Sequence, residues 1–370
     1  MLEHQDYKVA DPDAFETPAM LVFDHLVDHN IQSLCAMADG AHNLMVHVKT
    51  HKSADITARQ LQAGIAGFKC AILKELEMVL EAGAPHAILA YPMVQARKVE
   101  RFADLSKTYD QARAYAVVSA PLHFDLLDQV ATQRQQTLRV MLDLDVGMHR
   151  TGVATGDSAL ALYRAIDQHP FLEAAGIHAY DGHDHRPDAE GRQQAAQVHI
   201  DEIHTLKGQL EEAGLPVPLL VAGGSYSFLY YARTQGMYGS PGTSIYWDLN
   251  GVRGMPDMPF RYAALVLTQV VDRHPQQQTF TTDLGHKAIA GDPPQEYRAS
   301  LLGREDAELI VQNEEHGVFR TSDPLPEIGD YILAAPGHVC ATIVRHPGSY
   351  IVDAAGDLID YYPHTARDRS

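Results

Sequence analysis

The sequence repeats one pattern: a short apolar segment, a polar turn, and then a stretch with helical periodicity. Helix-like stretches include residues 55–63, 73–82 and 193–213, and Gly83 and Gly214 follow the second and third of these, where a glycine ends a helix well. The eight apolar segments that fit strands are residues 44–48, 67–71, 87–91, 114–118, 139–143, 176–180, 219–222 and 243–247. Eight such β/α units in succession predict an α/β fold, a (β/α)8 barrel of the TIM type.

The pattern changes near Gly254, after which no long helical stretch follows. Short apolar segments of strand type are separated there by turns rich in Pro, Gly and Asp. These segments are residues 262–271, 279–282, 308–312, 331–334, 342–345 and 350–352. The chain has 370 residues, more than one core usually holds. We therefore predict a barrel domain over residues 19–253 and an all-β domain over residues 254–370, with residues 1–18 packing on the β domain.

The composition excludes several classes of partner. With 29 Lys and Arg against 48 Asp and Glu, the formal net charge is −19, and such a surface repels nucleic acid and anionic membranes. Residues 1–12 have no apolar signal core, and no run of apolar residues is long enough to span a membrane. Three cysteines are few, and their number is odd, which does not suit a disulfide framework. We therefore expect reduced thiols and a cytoplasmic location.

Polar and glycine-rich residues gather after the predicted barrel strands. In barrel enzymes the functional site lies at the carboxyl ends of the strands. The segments concerned are His47–Lys52, Tyr91–Pro92, Asp143–Arg150, Tyr180–His183, Gly223–Ser225 and Ser240–Gly242. Incidental loops would scatter such residues more evenly, so the pattern predicts a functional site at this face.

Two features of these segments indicate a cofactor. Burial lowers the pKa of a lysine that ends a strand and frees its amine for imine formation, and Lys49 and Lys52 are the candidates; an exposed strand-end lysine is the alternative. The Gly223-Gly224-Ser225 turn, with Gly242 and Thr243, offers backbone N–H groups to a phosphate, and a simple tight turn is the alternative. An imine-forming lysine and a phosphate cradle in one barrel are what pyridoxal phosphate requires.

The predicted β domain contains one notable triplet, His338-Val339-Cys340. On a strand, residues i and i+2 point to the same face, so the imidazole and the thiolate would lie side by side. Such a pair suits a zinc-like ion whose remaining positions are open to water or substrate. A hydrogen-bonded histidine beside a buried cysteine is the alternative. His286 and His316 are weaker candidates for supporting roles.

The segments that carry a family resemblance are Thr17–Ala19, His47–Ser53, Gly147–Gly152, His178–Tyr180, Gly223–Gly224, Ser240–Thr243, Asp283–Lys287, Glu314–His316 and Pro336–Cys340. With them, the chain resembles the metal-dependent branch of the alanine-racemase superfamily, pyridoxal-phosphate enzymes of fold type III. That branch contains D-threonine aldolases and D-serine dehydratases. The Val-Lys-Thr-His-Lys motif and the late His-x-Cys, in this order on one chain, are specific together.

The resemblance implies a role for each matched residue. Lys49 is implied as the Schiff-base lysine, Arg150 as the contact of the cofactor's phenolic oxygen, and Tyr180 as the neighbour of its pyridine ring. The phosphate-binding positions implied are Gly223, Gly224, Ser225, Gly242 and Thr243. His338 and Cys340 are implied as ligands of a divalent metal, Mn²⁺ or Zn²⁺. Some D-threonine aldolases have Asp where Cys340 stands, and the dehydratases have Cys.

The activity implied is a lyase that acts on D-3-hydroxy amino acids, of the D-threonine aldolase type, giving glycine and an aldehyde. In that interpretation a base such as His51, or a water on the metal, removes the hydroxyl proton. The alternative is a D-serine dehydratase, in which Lys49 removes the α-proton. A racemase and a non-catalytic pyridoxal-phosphate binder fit less well, since no convincing Tyr motif is present and the β domain argues against a binder. We expect a small D-amino acid as substrate and, by analogy with the fold, a homodimer.

Overall fold

The computed structural model describes residues 1–369 of the chain, so the last residue of the predicted β domain, Ser370, lies outside the described part. The chain begins with the antiparallel strands β1 (Leu2–His4) and β2 (Tyr7–Val9). The strand β3 (Ala19–Phe23) follows, and all five of its apolar residues are buried. A strand buried on both faces is typical of the centre of a sheet, and α1 (Asp24–Met37) comes directly after it.

Eight parallel strands then form a barrel. They are β4 (Met45–His47), β5 (Gly67–Cys70), β6 (His86–Leu89), β7 (Arg113–Val118), β8 (Leu138–Leu144), β9 (Leu172–Ala179), β10 (Leu219–Ala222) and β11 (Met237–Gly239). Hydrogen-bonded neighbours follow the order of the chain from β4 to β11, and a parallel bridge between Leu44 and Gly239 brings the last strand to the first. The predicted (β/α)8 barrel is therefore confirmed.

Helices connect successive barrel strands. They are α2 (Ala54–Gln62), α3 (Leu73–Glu81), α4 (Ala96–Thr108), α5 (Pro121–Arg134), α6 (Asp157–Asp167), α7 (Ala189–Glu212) and α8 (Phe228–Ala232). In α3 the buried residues Leu73, Leu76 and Leu80 recur at helical spacing, so one face of the helix packs on the barrel. Gly83 follows α3 with a φ of +87°, as expected for a glycine that stops a helix.

Apolar side chains fill the centre of the barrel, including Met45, Ile88, Tyr115, Met141 and Val221. The barrel interior is thus a packed core, as in other barrels of this type. Residues two apart on one strand share a face, and parallel partners in register share it too. By this rule His47 follows Met45 on the inner face of β4, and Asp143 follows Met141 on that of β8. The inner face is apolar at its centre and polar where the strands end.

The remaining elements are mostly strands. They are α9 (Leu249–Gly254), β12 (Ala264–His274), β13 (Thr279–Thr282), β14 (Ala299–Leu301), β15 (Glu308–Gln312), β16 (Gly317–Arg320), β17 (Tyr331–Pro336), α10 (Val339–Ile343), β18 (Gly348–Val352) and β19 (Leu358–Pro363). With β3 they form a nine-stranded sheet along the order β15-β16-β13-β12-β3-β18-β19, in which β17 pairs with β12 and β14. β3 is antiparallel to β12 and parallel to β18.

The chain divides into two compact units. The barrel unit contains residues 34–49 and 54–242 together with Asp368 and Arg369, and the β unit contains residues 1–33, 50–53 and 243–367. The predicted limits of 19–253 and 254–370 differ from this division for two reasons. β3 pairs in the β sheet, and residues 50–53 and 243–253 also belong to the β unit. As domain limits they stay predictions. Among residues 1–369, none of the helices is both long and apolar enough to cross a membrane.

Two strand predictions are wrong. Residues 243–247, predicted as the eighth barrel strand, begin with a 3-10 helix, Thr243–Ile245, and the eighth strand is the three-residue β11. Residues 342–345, predicted as a strand, overlap the end of α10. Both segments are short and rich in apolar or β-branched residues, which fit a strand as well as a buried helical turn, so periodicity could not separate the two. The sequence prediction also did not include β1, β2, β3, β11, β14, β16 and β19.

Gly176 provides a test of the barrel's strand packing. It lies in β9 with a φ of +126°, and a Cβ there would overlap the backbone carbonyl of Leu219 on β10. We expect Gly176→Ala to lower the free energy of unfolding by about 2–5 kcal/mol, through backbone strain and steric overlap. Denaturant unfolding followed by circular dichroism measures this.

The matched control is Gly208→Ala in α7, where a Cβ would meet no atom within 4 Å. This change should raise stability by about 0.5–1 kcal/mol, because alanine favours a helix over glycine. Equal effects of the two variants would contradict the close approach of β9 and β10.

Candidate functional site

Lys49 lies at the carboxyl end of the first barrel strand, just beyond β4. It is half-buried, and its backbone N–H donates a hydrogen bond to Nδ1 of His47 at 3.3 Å. The backbone N–H of His47 in turn donates to the carbonyl oxygen of Pro241 at 2.7 Å. These bonds tie the Lys49 segment to the segment that follows β11, on the rim where a barrel enzyme carries its site.

Tyr180 directly follows β9 on the same rim, with its ring under the guanidinium of Arg150. The Arg150 guanidinium carbon is 4.8 Å from the centre of the ring, a cation–π contact. Two glycines pack against the ring: a Cβ on Gly224 would be 2.9 Å from Cε2 of Tyr180, and a Cβ on Gly182 would overlap the ring. The absence of side chains at Gly182 and Gly224 therefore makes room for Tyr180.

The Gly-Gly-Ser turn follows β10, and Gly223 has a φ of +85° that favours glycine. The backbone N–H of Gly224 donates to Oγ of Ser227 at 3.3 Å. The backbone N–H of Gly242 donates to Oγ of Ser225, also at 3.3 Å. The structure thus brings four of the five predicted phosphate-binding residues together. The fifth, Thr243, belongs to the β unit.

A buried polar layer lies at the ends of the inner strands. Nδ1 of His178 and Oδ1 of Asp143 are 2.7 Å apart, and both side chains are buried. Burial lowers the pKa of His178, with the Asp143 carboxylate opposing that shift. Within residues 1–369, Nε2 of His178 is buried and has no hydrogen-bond partner. The hydroxyl of Tyr231 donates to Asp181 at 2.9 Å. An orphaned buried nitrogen in such a layer is what a polar ligand would satisfy.

Lys69 belongs to the same layer and was missed by sequence reasoning. It is on β5, opposite His47 in the parallel register, and only 2% of its surface is exposed. The available signal was a lysine within the apolar segment 67–71, where a charge is costly.

The predicted metal ligands His338 and Cys340 belong to the β unit, where they begin a short helix and do not lie on a strand. The prediction of a shared strand face is therefore wrong, because β17 ends at Pro336 and His338 is the N-cap of α10. The two side chains still meet, since a hydrogen bond to Cys340 is the main cause that raises the pKa of His338 to about 9. Sγ of Cys340 is 3.1 Å from Oγ1 of Thr50.

Two carboxylates that the sequence analysis did not find support this pair. Oδ2 of Asp292 is 2.6 Å from Nδ1 of His338, which leaves the other ring nitrogen for a ligand. Asp248, which is buried, accepts the N–H of Val339 at 3.0 Å and that of Gly251 at 2.9 Å. An imidazole and a thiol that interact, with a carboxylate behind the imidazole, form a donor set that a zinc-like ion can take over.

The predicted base His51 is fully buried in the β unit, with its ring edge toward Tyr246. Its Nδ1 accepts the backbone N–H of Ser53 at 3.2 Å. In the neutral ring this bond places the proton on Nε2. Lys52 is also buried, and its amine donates to the carbonyl oxygen of Ala366 at 3.3 Å, so Lys52 is a packing residue rather than an exposed strand-end lysine.

The weaker candidates His286 and His316 lie on facing turns of the β unit. The N–H of His286 donates to the carbonyl oxygen of Asn313 at 2.9 Å. The N–H of Asn313 donates to the carbonyl oxygen of His316 at 2.8 Å. These are backbone bonds that fix the turns. A part of either imidazole in catalysis stays a prediction.

A further group of possible metal ligands lies in the barrel unit and was not predicted. His183, Asp184 and His199 place one ligand atom each within 4.8 Å of one another. Nε2 of His199 is 2.7 Å from Oδ2 of Asp184, and Nε2 of His183 is 3.6 Å from the same oxygen. Only the fold brings His199, on α7, back to the loop after β9, so sequence spacing carried no signal of the group.

Two family models match the chain. The model of the alanine racemase N-terminal domain matches residues 25–250, which is more than half of the chain. The model of a putative serine dehydratase domain matches residues 263–352.

Individual proteins match over almost the whole length. The chain is 26% identical over 373 residues to a 3-hydroxy-D-aspartate aldolase of Paracoccus denitrificans, covering 97% of this chain and 94% of that protein. It is 24% identical to a D-threo-3-hydroxyaspartate dehydratase of Delftia sp., covering 93% and 96%. The crystal structure of a D-threonine aldolase from Filomicrobium marinum superposes with a TM-score of 0.88 at 27% identity, covering 97% and 98%.

Asp292 tests the metal-binding capacity of the β unit. We expect Asp292→Asn to weaken Mn²⁺ or Zn²⁺ binding about 10–100-fold, because the carboxylate that orients His338 is lost. Isothermal titration of the metal-free protein measures this. Asp357→Asn, at an exposed position of the same unit, is the control and should bind like the unmodified chain. Unchanged affinity in Asp292→Asn, with His338→Ala also unchanged, would rule out a metal at this pair.

Proposed function

Because the chain belongs to the family of the alanine racemase N-terminal domain, we propose that it is a lyase that depends on pyridoxal phosphate and a divalent metal and acts on D-3-hydroxy amino acids. The proposed activity is of the D-threonine aldolase type, with cleavage of the Cα–Cβ bond to glycine and an aldehyde. The observation that carries the proposal is the meeting of Arg150, Tyr180 and Gly224 at one rim of the barrel. Similarity to named aldolases supports the same class.

The residues of the barrel unit fit the cofactor. The amine of Lys49 would bond to the aldehyde carbon, and Gly223, Gly224, Ser225 and Gly242 would surround the phosphate. Arg150 would hold the phenolic oxygen beside Tyr180. The Tyr180 ring packed against the Gly-Gly-Ser turn, and the buried Nε2 of His178 without a partner in the described chain, fit a bound aromatic ring with polar edges. When bound, pyridoxal phosphate supplies a sink for the electrons of a broken bond to Cα.

The residues of the β unit fit the metal. His338 and Cys340 would hold the ion, and Asp292 would orient His338 through the 2.6 Å contact to its Nδ1. A divalent ion at these ligands supplies Lewis-acid polarisation of a hydroxyl group. Thr50, 3.1 Å from Sγ of Cys340, would hold the thiolate in place by donating its hydroxyl proton.

His51 fits the part of a hydrogen-bond donor better than that of a base. Its Nδ1 accepts from Ser53, so the neutral ring carries its proton on Nε2. A donor at Nε2 would orient an oxygen of the substrate and would not take up its proton. The proposal that His51 is the base therefore requires the loss of the Ser53 bond.

A D-serine-type dehydratase is the second candidate, and Cys340 is the observation that favours it, since the dehydratases of the resembling branch have Cys at this position. Similarity to a D-threo-3-hydroxyaspartate dehydratase supports it as well. Both activities would use the same cofactor and metal residues, and they differ in the bond that is broken. A small D-amino acid as substrate, a homodimer and a cytoplasmic location complete the proposal.

Product analysis separates the two activities. Purified protein with pyridoxal phosphate and Mn²⁺ or Zn²⁺ is given D-threonine and D-serine separately, with L-threonine as the control. We expect glycine and acetaldehyde from D-threonine and little pyruvate from D-serine. Pyruvate and ammonia from D-serine would instead establish the dehydratase, and turnover of L-threonine alone would contradict both.

Lys49→Ala tests the attachment of the cofactor. Without the amine, the absorbance near the visible edge that pyridoxal phosphate gains on bonding to a lysine should disappear. Lys52→Ala is the matched control from the same motif. It should keep this absorbance, since the Lys52 amine is hydrogen-bonded to the carbonyl oxygen of Ala366. Absorbance that survives in Lys49→Ala and is lost in Lys52→Ala would move the attachment to Lys52.

A further inference from the structure

A second lysine, Lys69, lies within the group of residues that we assign to the cofactor. On β5 its parallel partners are His47 and Ile88, and Ile88 belongs to the core at the centre of the barrel. Lys69 therefore points to the barrel interior. Only 2% of its surface is exposed. A lysine at this depth is rare unless a carboxylate pairs with it or a ligand uses it.

The contacts of Lys69 are with residues of the cofactor group. Nζ is 5.4 Å from the centre of the Tyr180 ring and 3.5 Å from the carbonyl oxygen of Gly223, which opens the Gly-Gly-Ser turn. A hydrogen bond of 3.5 Å is long, so the amine keeps most of its bonding capacity. Among residues 1–369, Lys69 has no ion pair with a carboxylate.

The surroundings of Lys69 disfavour its charge. The charged and titratable groups that face it from the neighbouring strands and loops are His47, Lys49, Asp143, Arg150, His178, Tyr180, Asp181 and Tyr231. Lys49 and Arg150 repel a positive charge, while Asp143 and Asp181 attract it but are already bonded to His178 and Tyr231. Burial is the largest cause, and it lowers the pKa of Lys69 to about 7.

We propose that Lys69 is a positioning residue of the cofactor site, whose amine hydrogen-bonds to the bound cofactor and controls its protonation. The inference rests on the proposed function, since it takes Lys49 as the attachment point. A molecule that is bonded to Lys49 and lies between Tyr180 and the Gly-Gly-Ser turn would meet the Lys69 amine, because the amine contacts both. A neutral amine offers this molecule two N–H donors and one lone pair, which an ammonium cannot.

The test is the pH dependence of the absorbance of the bound cofactor in Lys69→Met. Methionine keeps the length and the apolar stem and removes the amine. We expect the cofactor to bind and the midpoint of its absorbance change to shift by about one pH unit or more from that of the unmodified chain. Lys98→Met is the matched control, because Nζ of Lys98 is also 5.4 Å from a tyrosine ring, that of Tyr91, outside the cofactor group.

The outcomes are distinguishable. A cofactor titration in Lys69→Met that coincides with that of the unmodified chain and of Lys98→Met would overturn the proposal, leaving Lys69 as a packing residue. Loss of the absorbance in Lys69→Met together with its survival in Lys49→Ala would also overturn it, since Lys69 would then be the attachment point. An unmodified chain that gives no cofactor absorbance at all would refute the proposed function itself.

A second measurement on the cofactor-free protein keeps the proposal testable if binding is weak. As the pH falls from 10.5 toward 7, the Lys69 amine takes up a proton in the unfolded chain but stays neutral in the folded chain. Proton binding therefore stabilises the unfolded state over this range. Between pH 10.5 and 7 the free energy of unfolding of the unmodified chain should therefore fall relative to that of Lys69→Met. Below pH 7 the difference between the two free energies should be constant. If Lys69→Met does not fold, Lys69→Gln replaces it. Parallel stability curves would contradict an uncharged Lys69.

Discussion

The closure of the barrel between its first and last strands determines where the barrel residues of the candidate site lie. The first contact between the two strands is the Leu44–Gly239 bridge. Two hydrogen bonds continue it: the N–H of His47 donates to the Pro241 carbonyl, and the Ser240 hydroxyl donates to the Met45 carbonyl at 2.6 Å. Since β11 has only three residues, side-chain and loop hydrogen bonds supply part of this closure. Without it the loops after β4 and β11 would belong to two open edges, and Lys49 and Gly242 would have no common rim.

The inner face of the barrel combines an apolar centre with a polar layer at one end. Charges in such a layer are costly to bury, and the structure reduces that cost by pairing each carboxylate with a neutral donor: Asp143 with His178 and Asp181 with Tyr231. Within residues 1–369, Lys69 has no such pair, and its burial disfavours the charged form and lowers its pKa. The layer therefore holds two hydrogen-bonded carboxylates beside an amine whose charge is disfavoured by burial.

The periodic pattern of the sequence was sufficient to predict the barrel and the β domain, because it is repeated over many elements. It failed at single short segments, where three to five apolar residues fit a strand or a helical turn equally well, as at residues 243–247 and 342–345. The motif residues Lys49, Gly224 and His338 could be named in advance because local sequence marks them. Asp292 and His199 could not, since their relevance depends on neighbours that only the tertiary fold brings near. Lys69 was marked only by its place in an apolar segment, and its contact with Tyr180 depends on the fold.

The glycines on either side of Tyr180 restrict how related sequences can diverge. A side chain at Gly182 or at Gly224 needs the space that the Tyr180 ring fills, so neither position can change alone while the tyrosine is kept. A smaller residue at position 180, in turn, would leave a void and remove the surface on which Arg150 rests. Substitutions at positions 180, 182 and 224 should therefore be tolerated only in combination. In an alignment of relatives, these three positions should covary more strongly than their separation along the chain suggests.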